Sequence, residues 1–169
     1  MSAFNAIFDR PWDGEPPEPF FEPEYYWGVV WRRIFAYCVI DALVVVLLWA
    51  LAAALFAGLT VVSLGGLSAI WTLYGFVPLA YHTLTIGGRH SATWGMRLMG
   101  IEVRDWSGGR PSYLQALALT VVFYLTTAAT AFFVLLLVLF NRRRRTLHDF
   151  LAGTVVIRRF PRSAVLMAE

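Results

Sequence analysis

Two acids and a pair of arginines carry most of the chemistry this sequence offers. Asp41 is the only charge between Ile34 and Ala57, inside the apolar run WRRIFAYCVIDALVVVLLWALAAALFA of residues 31–57. About 20 apolar residues span the hydrocarbon core of a bilayer. An acid within such a run costs a few kcal/mol, so it takes a partner and often has a role. The obvious partner is Arg33. Eight residues of α-helix give about 12 Å of rise and about 80° of rotation, so the two side chains lean toward each other without forming an ideal pair. Arg32 points almost opposite to Asp41. The second acid, Asp149, follows Thr146 at the spacing of a capping box. It reads either as the cap of a short helix or as an acid held against Arg33, and the two readings are compatible.

The other reactive residue types form no site. His82, His90 and His148 have no metal-ligand spacing with each other or with Cys38. There is no GxSxG, P-loop or dinucleotide fingerprint. The glycines from Gly88 to Gly100 follow an apolar span and do not link a strand to a helix, as a phosphate loop would. Neither an enzyme nor a cofactor is expected.

The elements that must position these charges are membrane elements. The chain has 169 residues, of which 59% are hydrophobic and 15% charged, a composition that suits a small membrane protein. All 14 basic residues are arginine. Residues 1–28 hold six acids against one arginine, residues 113–140 hold no charge, and the C-terminal part is basic. Arginines beside apolar spans, Arg142 to Arg145 above all, read as lipid headgroup contacts and orientation signals, not as a nucleic-acid surface. The lone Cys38 excludes an internal disulfide. The first apolar run is too long for a signal-peptide core and is expected to be retained as a span.

Taken in order, residues 1–28 form an acidic, proline-rich cytoplasmic tail that ends in an aromatic interface belt. Its acids are candidates to lie against the chain's own arginines. A membrane domain follows over 29–159, and residues 160–169 form a second tail. Within the domain, the first span covers 29–57 and ends near Gly58. Ala50, Ala54 and Gly58 make a small-residue stripe facing away from Asp41. The second span covers 67–86 and is expected to kink at Pro78. Its Tyr74, Tyr81 and His82 are candidate further contacts for Asp41, with Arg32 as an alternative to Arg33. Residues 87–112 form a loop containing a strand at 100–106, with Ile101 and Val103 on one face and Glu102 and Arg104 on the other. Ser112 and Gln115 make a capping box for the next helix.

Residues 113–140 are long enough for one crossing, yet two arguments favour a re-entrant or V-shaped hairpin breaking near 126–130. A straight crossing would put Arg142–Arg145 on the far side from the other basic flanks. It would also separate the strand at 153–159 from its natural partner at 100–106. The expected fold is therefore an all-α membrane protein. It has two transmembrane helices plus a hairpin (three to four membrane helices) and a small two-stranded β element on the cytoplasmic side.

The segments RRIFAYCVID (32–41), ATWGMRLMGIEVRDWSGGRPS (92–112) and RRRRTLHDFLAGTVVI (142–157) resemble the RDD family of small bacterial membrane proteins, in an alphaproteobacterial style. The resemblance covers about three quarters of the chain. It implies that the family's arginine is Arg33, with Arg32 as alternative, and that its two aspartates are Asp41 and Asp149. Many members carry an arginine near the position of Leu119, where this chain is apolar. The resemblance implies a multi-pass protein of the bacterial inner membrane with cytoplasmic termini. Two functions are open. One is an accessory or assembly module that contacts lipids and either other membrane proteins or further copies of itself, with Arg33, Asp41 and Asp149 as a structural charge cluster. The alternative is an oligomeric cation/proton-coupled transporter with Asp41 as carrier acid.

Overall fold

The computed structural model describes residues 15–18, 20–130 and 137–159. Most of the acidic tail, residues 131–136 within the expected hairpin, and the 160–169 tail lie outside the described residues.

Continuous apolarity produces one helical run from Pro23 to Val62, 40 residues long. It opens with a 3-10 turn, Pro23–Tyr25. It continues as α1 (Val29–Phe35), a π-helical stretch (Ala36–Asp41) and α2 (Ala42–Val62). Beyond Asp41, α2 is apolar on all sides and leaves Leu43, Val46, Leu47, Leu51 and Leu55 exposed, a surface suited to lipid. The helix does not end at Gly58, as the sequence reading expects. It runs to Val62 and closes through Ser63, with Leu64 and Gly65 at positive φ. In apolar surroundings a broken backbone hydrogen bond has no water to replace it, so a glycine alone does not stop the helix.

The expected second span is not one α-helix. A 3-10 helix, Ser68–Phe76, passes into α3 (Val77–Ile86). Pro78 lies in the first turn of α3, where a missing N–H leaves no bond unmade. The predicted kink is thus a change of helix type. The 3-10 segment packs on α2 through Phe56, Trp71 and Tyr74 and through Trp49 Nε1, which donates to Tyr74 O at 3.1 Å.

Next comes α4 (Trp94–Leu98), capped by Thr93, whose Oγ1 accepts from Met96 N at 3.1 Å. Two strands follow, β1 (Ile101–Asp105) and β2 (Thr154–Arg158), paired antiparallel with Val103 opposite Val156. One face sends Ile101, Val103 and Val156 into the core with Val29, Met96, Ala116 and Leu119. On the other face, Val155 and Ile157 lie beneath Tyr26.

Between the strands lie α5 (Tyr113–Thr130), α6 (Leu137–Phe140) and α7 (Leu147–Leu151). The chain that leaves the sheet at Trp106 rejoins it at Gly153, where Trp106 N donates to Gly153 O at 2.9 Å. After Pro23–Val62, α5 is the second helix long and apolar enough to cross a membrane. It runs unbroken through the expected break at 126–130. The threonines there bond back along the helix, Thr126 Oγ1 to Val122 O at 2.6 Å and Thr130 Oγ1 to Thr126 O at 2.7 Å. The hydroxyls are satisfied without opening the backbone. At the start of α5 only half the predicted capping box forms. Ser112 Oγ accepts from Gln115 N at 3.1 Å, while the Gln115 side chain reaches Ala152 O at 2.8 Å.

A close backbone approach occurs at Gly95. A Cβ there would lie 2.6 Å from Ala36 O and 2.9 Å from Asp41 Cγ. Neither the Ala36 carbonyl nor the hydrogen-bonded Asp41 carboxylate can yield cheaply, so Gly95→Ala is expected to destabilise by about 1–3 kcal/mol. Gly58→Ala, which meets nothing within 4 Å, is expected to be neutral. Thermal unfolding of both variants in detergent measures the difference.

Candidate functional site: two buried charge sites

The first site is built on a single helical turn. Thr146 and Asp149 form the capping box of α7, with Thr146 N donating to Asp149 Oδ2 at 2.8 Å. Gly153, at φ 65°, ends the turn. The carbonyl end is held from outside the helix. Arg145 Nη2 donates to Asp149 O at 2.8 Å, and Arg145 Nε to Thr154 O at 2.8 Å. Asp149 thereby points at the end of α1. Arg33 Nη1 donates to its Oδ2 at 2.7 Å and Nη2 to its Oδ1 at 3.3 Å. Nη1 also donates to Arg144 O and Nη2 to Thr146 Oγ1, both at 3.4 Å. His148 Nε2 lies 3.3 Å from Nη2 and 2.8 Å from Thr146 Oγ1. Arg33 is 4% exposed and Asp149 fully buried.

The second site surrounds Asp41, which is 1% exposed. Tyr81 OH donates to Oδ1 at 2.7 Å, Thr93 Oγ1 to Oδ2 at 2.7 Å, and Gly95 N to Oδ1 at 2.9 Å. Trp94 N in turn donates to Tyr81 OH at 3.1 Å. The start of α4 thus wraps the carboxylate, and the lack of a side chain at Gly95 lets it come that close. The π-helical stretch re-phases the side chains between Arg33 and Asp41. The α-helical angle assumed from the sequence does not apply, and Arg33 faces Asp149 instead of Asp41.

Among the other candidate contacts of Asp41, only Tyr81 reaches it. His82 Nδ1 donates to Pro78 O at 2.9 Å and lies 3.2 Å from Tyr124 OH. Tyr74 faces Trp49 and Trp71. Arg32 donates to Met99 O. Thr93, Gly95 and Thr146 complete the two sites. The sequence signal for Thr93 and Thr146 is their capping position before a short apolar turn. Gly95 carried no signal.

An aromatic layer separates the two sites. Tyr37 stacks on Phe123 with centroids 5.5 Å apart, and Phe123 meets the His148 ring edge-on at 5.1 Å. Tyr81 and His82 pack edge-on at 4.9 Å.

The four side chains of the arginine run do not lie on one exposed surface. Arg145 is buried, its guanidinium 4.1 Å from the Phe150 ring and 4.6 Å from Trp106. Arg143 stacks on Trp106 at 5.1 Å and takes up the acidic tail, bonding Glu18 and Pro16 O, with Glu15 at 3.9 Å. Tyr26 OH donates to Pro17 O at 3.0 Å. The described end of the tail therefore lies against the chain's own arginine.

Burial and charge set opposite demands on α7. Burial favours a neutral Asp149, but Arg33, with His148 and the Thr146 N–H, outweighs it and brings the carboxyl down to about 2. For His148, burial and the Arg33 charge outweigh Asp149 and lower the imidazole from 6.5 to about 4. His148 is thus neutral at pH 7 beside a charged pair. Among the described residues, no group of His, Cys, Asp and Glu could hold a metal ion.

The chain belongs to the RDD family, whose model matches residues 28–153. No curated protein and no solved structure matches it.

Removing one partner of a buried ion pair strands the other, at about 3–5 kcal/mol. Arg33→Leu and Asp149→Leu are each expected to lose about that much, and the double variant less than their sum, in a double-mutant cycle by thermal or denaturant unfolding. The pH response has a defined sign. Between pH about 6.5 and 4 the unfolded chain binds a proton at His148 that the folded chain refuses, so stability falls as pH falls. Asp149 adds a further loss between its ordinary 3.8 and about 2. His148→Gln should flatten the first of these slopes in unfolding measured from pH 7 to 4.

Proposed function

We propose that this member of the RDD family is a non-enzymatic, multi-pass protein of the bacterial inner membrane that acts as an accessory or assembly module for other membrane proteins. Residues 113–140 dip into the membrane and return, so that the sheet, α7 and both termini share the cytoplasmic side. The observation that carries the reading is the internal use of the charges. Arg33 is paired with Asp149, and Asp41 takes its hydrogen bonds from Tyr81, Thr93 and Gly95; the three charged residues are each at 4% exposure or less. Charges held in this way tie distant parts of the chain together. They leave the apolar outer surface of α2, including Ala50, Ala54 and Gly58, for lipid and partner helices.

One observation favours the alternative of cation/proton-coupled transport. Among the described residues the donors on Asp41 are all neutral, with no cation in hydrogen-bonding contact, and a carrier acid needs that vacancy of charge. Two measurements separate the readings. Extraction from native membranes in mild detergent should recover other membrane proteins with the chain, and Asp41→Asn should reduce that recovery. Proteoliposomes of the purified chain should show no pH-dependent cation flux above empty vesicles. Recovery of the chain alone, together with a flux that Asp41→Asn abolishes, would overturn the proposal.

A further inference from the structure

Two arginines outside both charge sites, Arg32 and Arg158, meet at one groove beside α1. The groove has a volume of about 430 Å³ and is lined by Trp27, Gly28, Trp31, Arg32, Phe35 and Met99. Arg32 is fixed in it by one hydrogen bond to Met99 O. Arg158 sits over the Trp27 ring at 5.9 Å. Arg159 N donates to Gly100 O at 2.8 Å, and a Cβ at Gly100 would lie 3.4 Å from Arg32 Nη1. These contacts place Arg32 in the groove, the Arg158 guanidinium over its Trp27 wall and the Arg159 backbone at its edge. Arg159 has Glu102 at 3.8 Å. Among the described residues no carboxylate pairs with Arg32 or Arg158.

The apolar side of the groove continues down the helix. Trp27, Trp31 and Phe35 are 74%, 69% and 55% exposed, and Val39, Leu43 and Leu47 stay exposed beyond them. A soluble anion or an acidic peptide would engage the arginines and gain nothing from this ladder. A phospholipid uses both: phosphate on guanidinium groups, glycerol backbone against interfacial tryptophans, acyl chain along the span.

We propose that the groove binds one anionic phospholipid, its headgroup on Arg32 and Arg158 and an acyl chain along Trp31, Phe35, Val39 and Leu43. The site requires membrane placement but neither functional reading above. It also differs from the Arg142–Arg145 run, three of whose members bond within the chain.

The full-length chain, purified in detergent, is titrated with phosphatidylglycerol, phosphatidylcholine and soluble glycerol 3-phosphate, with intact-complex mass spectrometry as readout. One phosphatidylglycerol per chain should be retained at concentrations where the other two are lost. Arg32→Gln/Arg158→Gln should weaken that binding by at least about tenfold, and Arg142→Gln should not. Equal retention of the two phospholipids, or tight binding of glycerol 3-phosphate, would overturn the proposal. Wild-type affinity in the double variant would do the same. Should the double variant fail to fold, Trp31→Ala decides, since it removes only an exposed ring. Weakened phosphatidylglycerol binding supports the site, and unchanged binding overturns it.

Discussion

The contact between Arg33 and Asp149 joins the first membrane helix to a turn more than a hundred residues later. Both groups are buried, so neither can lose the other without leaving a desolvated charge. Thr146, His148 and the Arg144 carbonyl complete the shell around the guanidinium. For this to form, α7 must sit beside α1, and β2 must therefore return to β1. The pairing of two strands separated by a long apolar helix follows from the same requirement. A two-stranded sheet is marginal by itself. Here it is covered on one face by Tyr26 and on the other by α1, α4 and α5.

Asp41 presents a different solution to the same problem. A carboxylate in an apolar helix is stabilised either by a cation or by several aligned donors. This chain uses donors: two hydroxyls and one backbone N–H, supplied by α3 and the start of α4. The arrangement needs room beside the first helix. The π-helical stretch ends at Asp41, and Gly95 lies against its first carbonyl. A π stretch within an α-helix is locally unfavourable and is frequently found at functional sites. Here it turns Arg33 toward one cluster and Asp41 toward another.

Much of this was legible in the residues. The apolar runs located the first membrane-length helix and the uncharged segment that holds the second, though 67–86 reads as a full span and 113–140 as broken near 126–130. Alternation in IEVRD located β1, and TVVIR reads as its partner strand. The Thr146–Asp149 spacing located the capped turn that positions Asp149. What was not legible depended on geometry that spacing does not encode. Ideal helical phase put Arg33 beside Asp41, and a π stretch has no sequence signature strong enough to warn against it. Gly58 looked like a helix end because glycine ends helices in water, whereas apolar surroundings enforce continued backbone pairing. The four arginines read as one surface because they are consecutive. The turn before α7 rotates Arg145 inward under Trp106 and Phe150, and Arg143 toward the tail.

The picture is of a membrane helix to which a small sheet and a capped turn are tied from one end by a buried ion pair, with the second buried acid tied separately by α4. Its central requirement is that the chain leaving the sheet before α5 returns to the same side after α6. Side-specific labelling tests this directly. Arg110→Cys and Arg142→Cys, both at exposed positions, are introduced one at a time with Cys38 replaced by Ala. They are then probed with a membrane-impermeant maleimide in spheroplasts and in inverted vesicles. The account predicts that both cysteines label in inverted vesicles and neither in spheroplasts. Labelling of the two positions from opposite sides would contradict it.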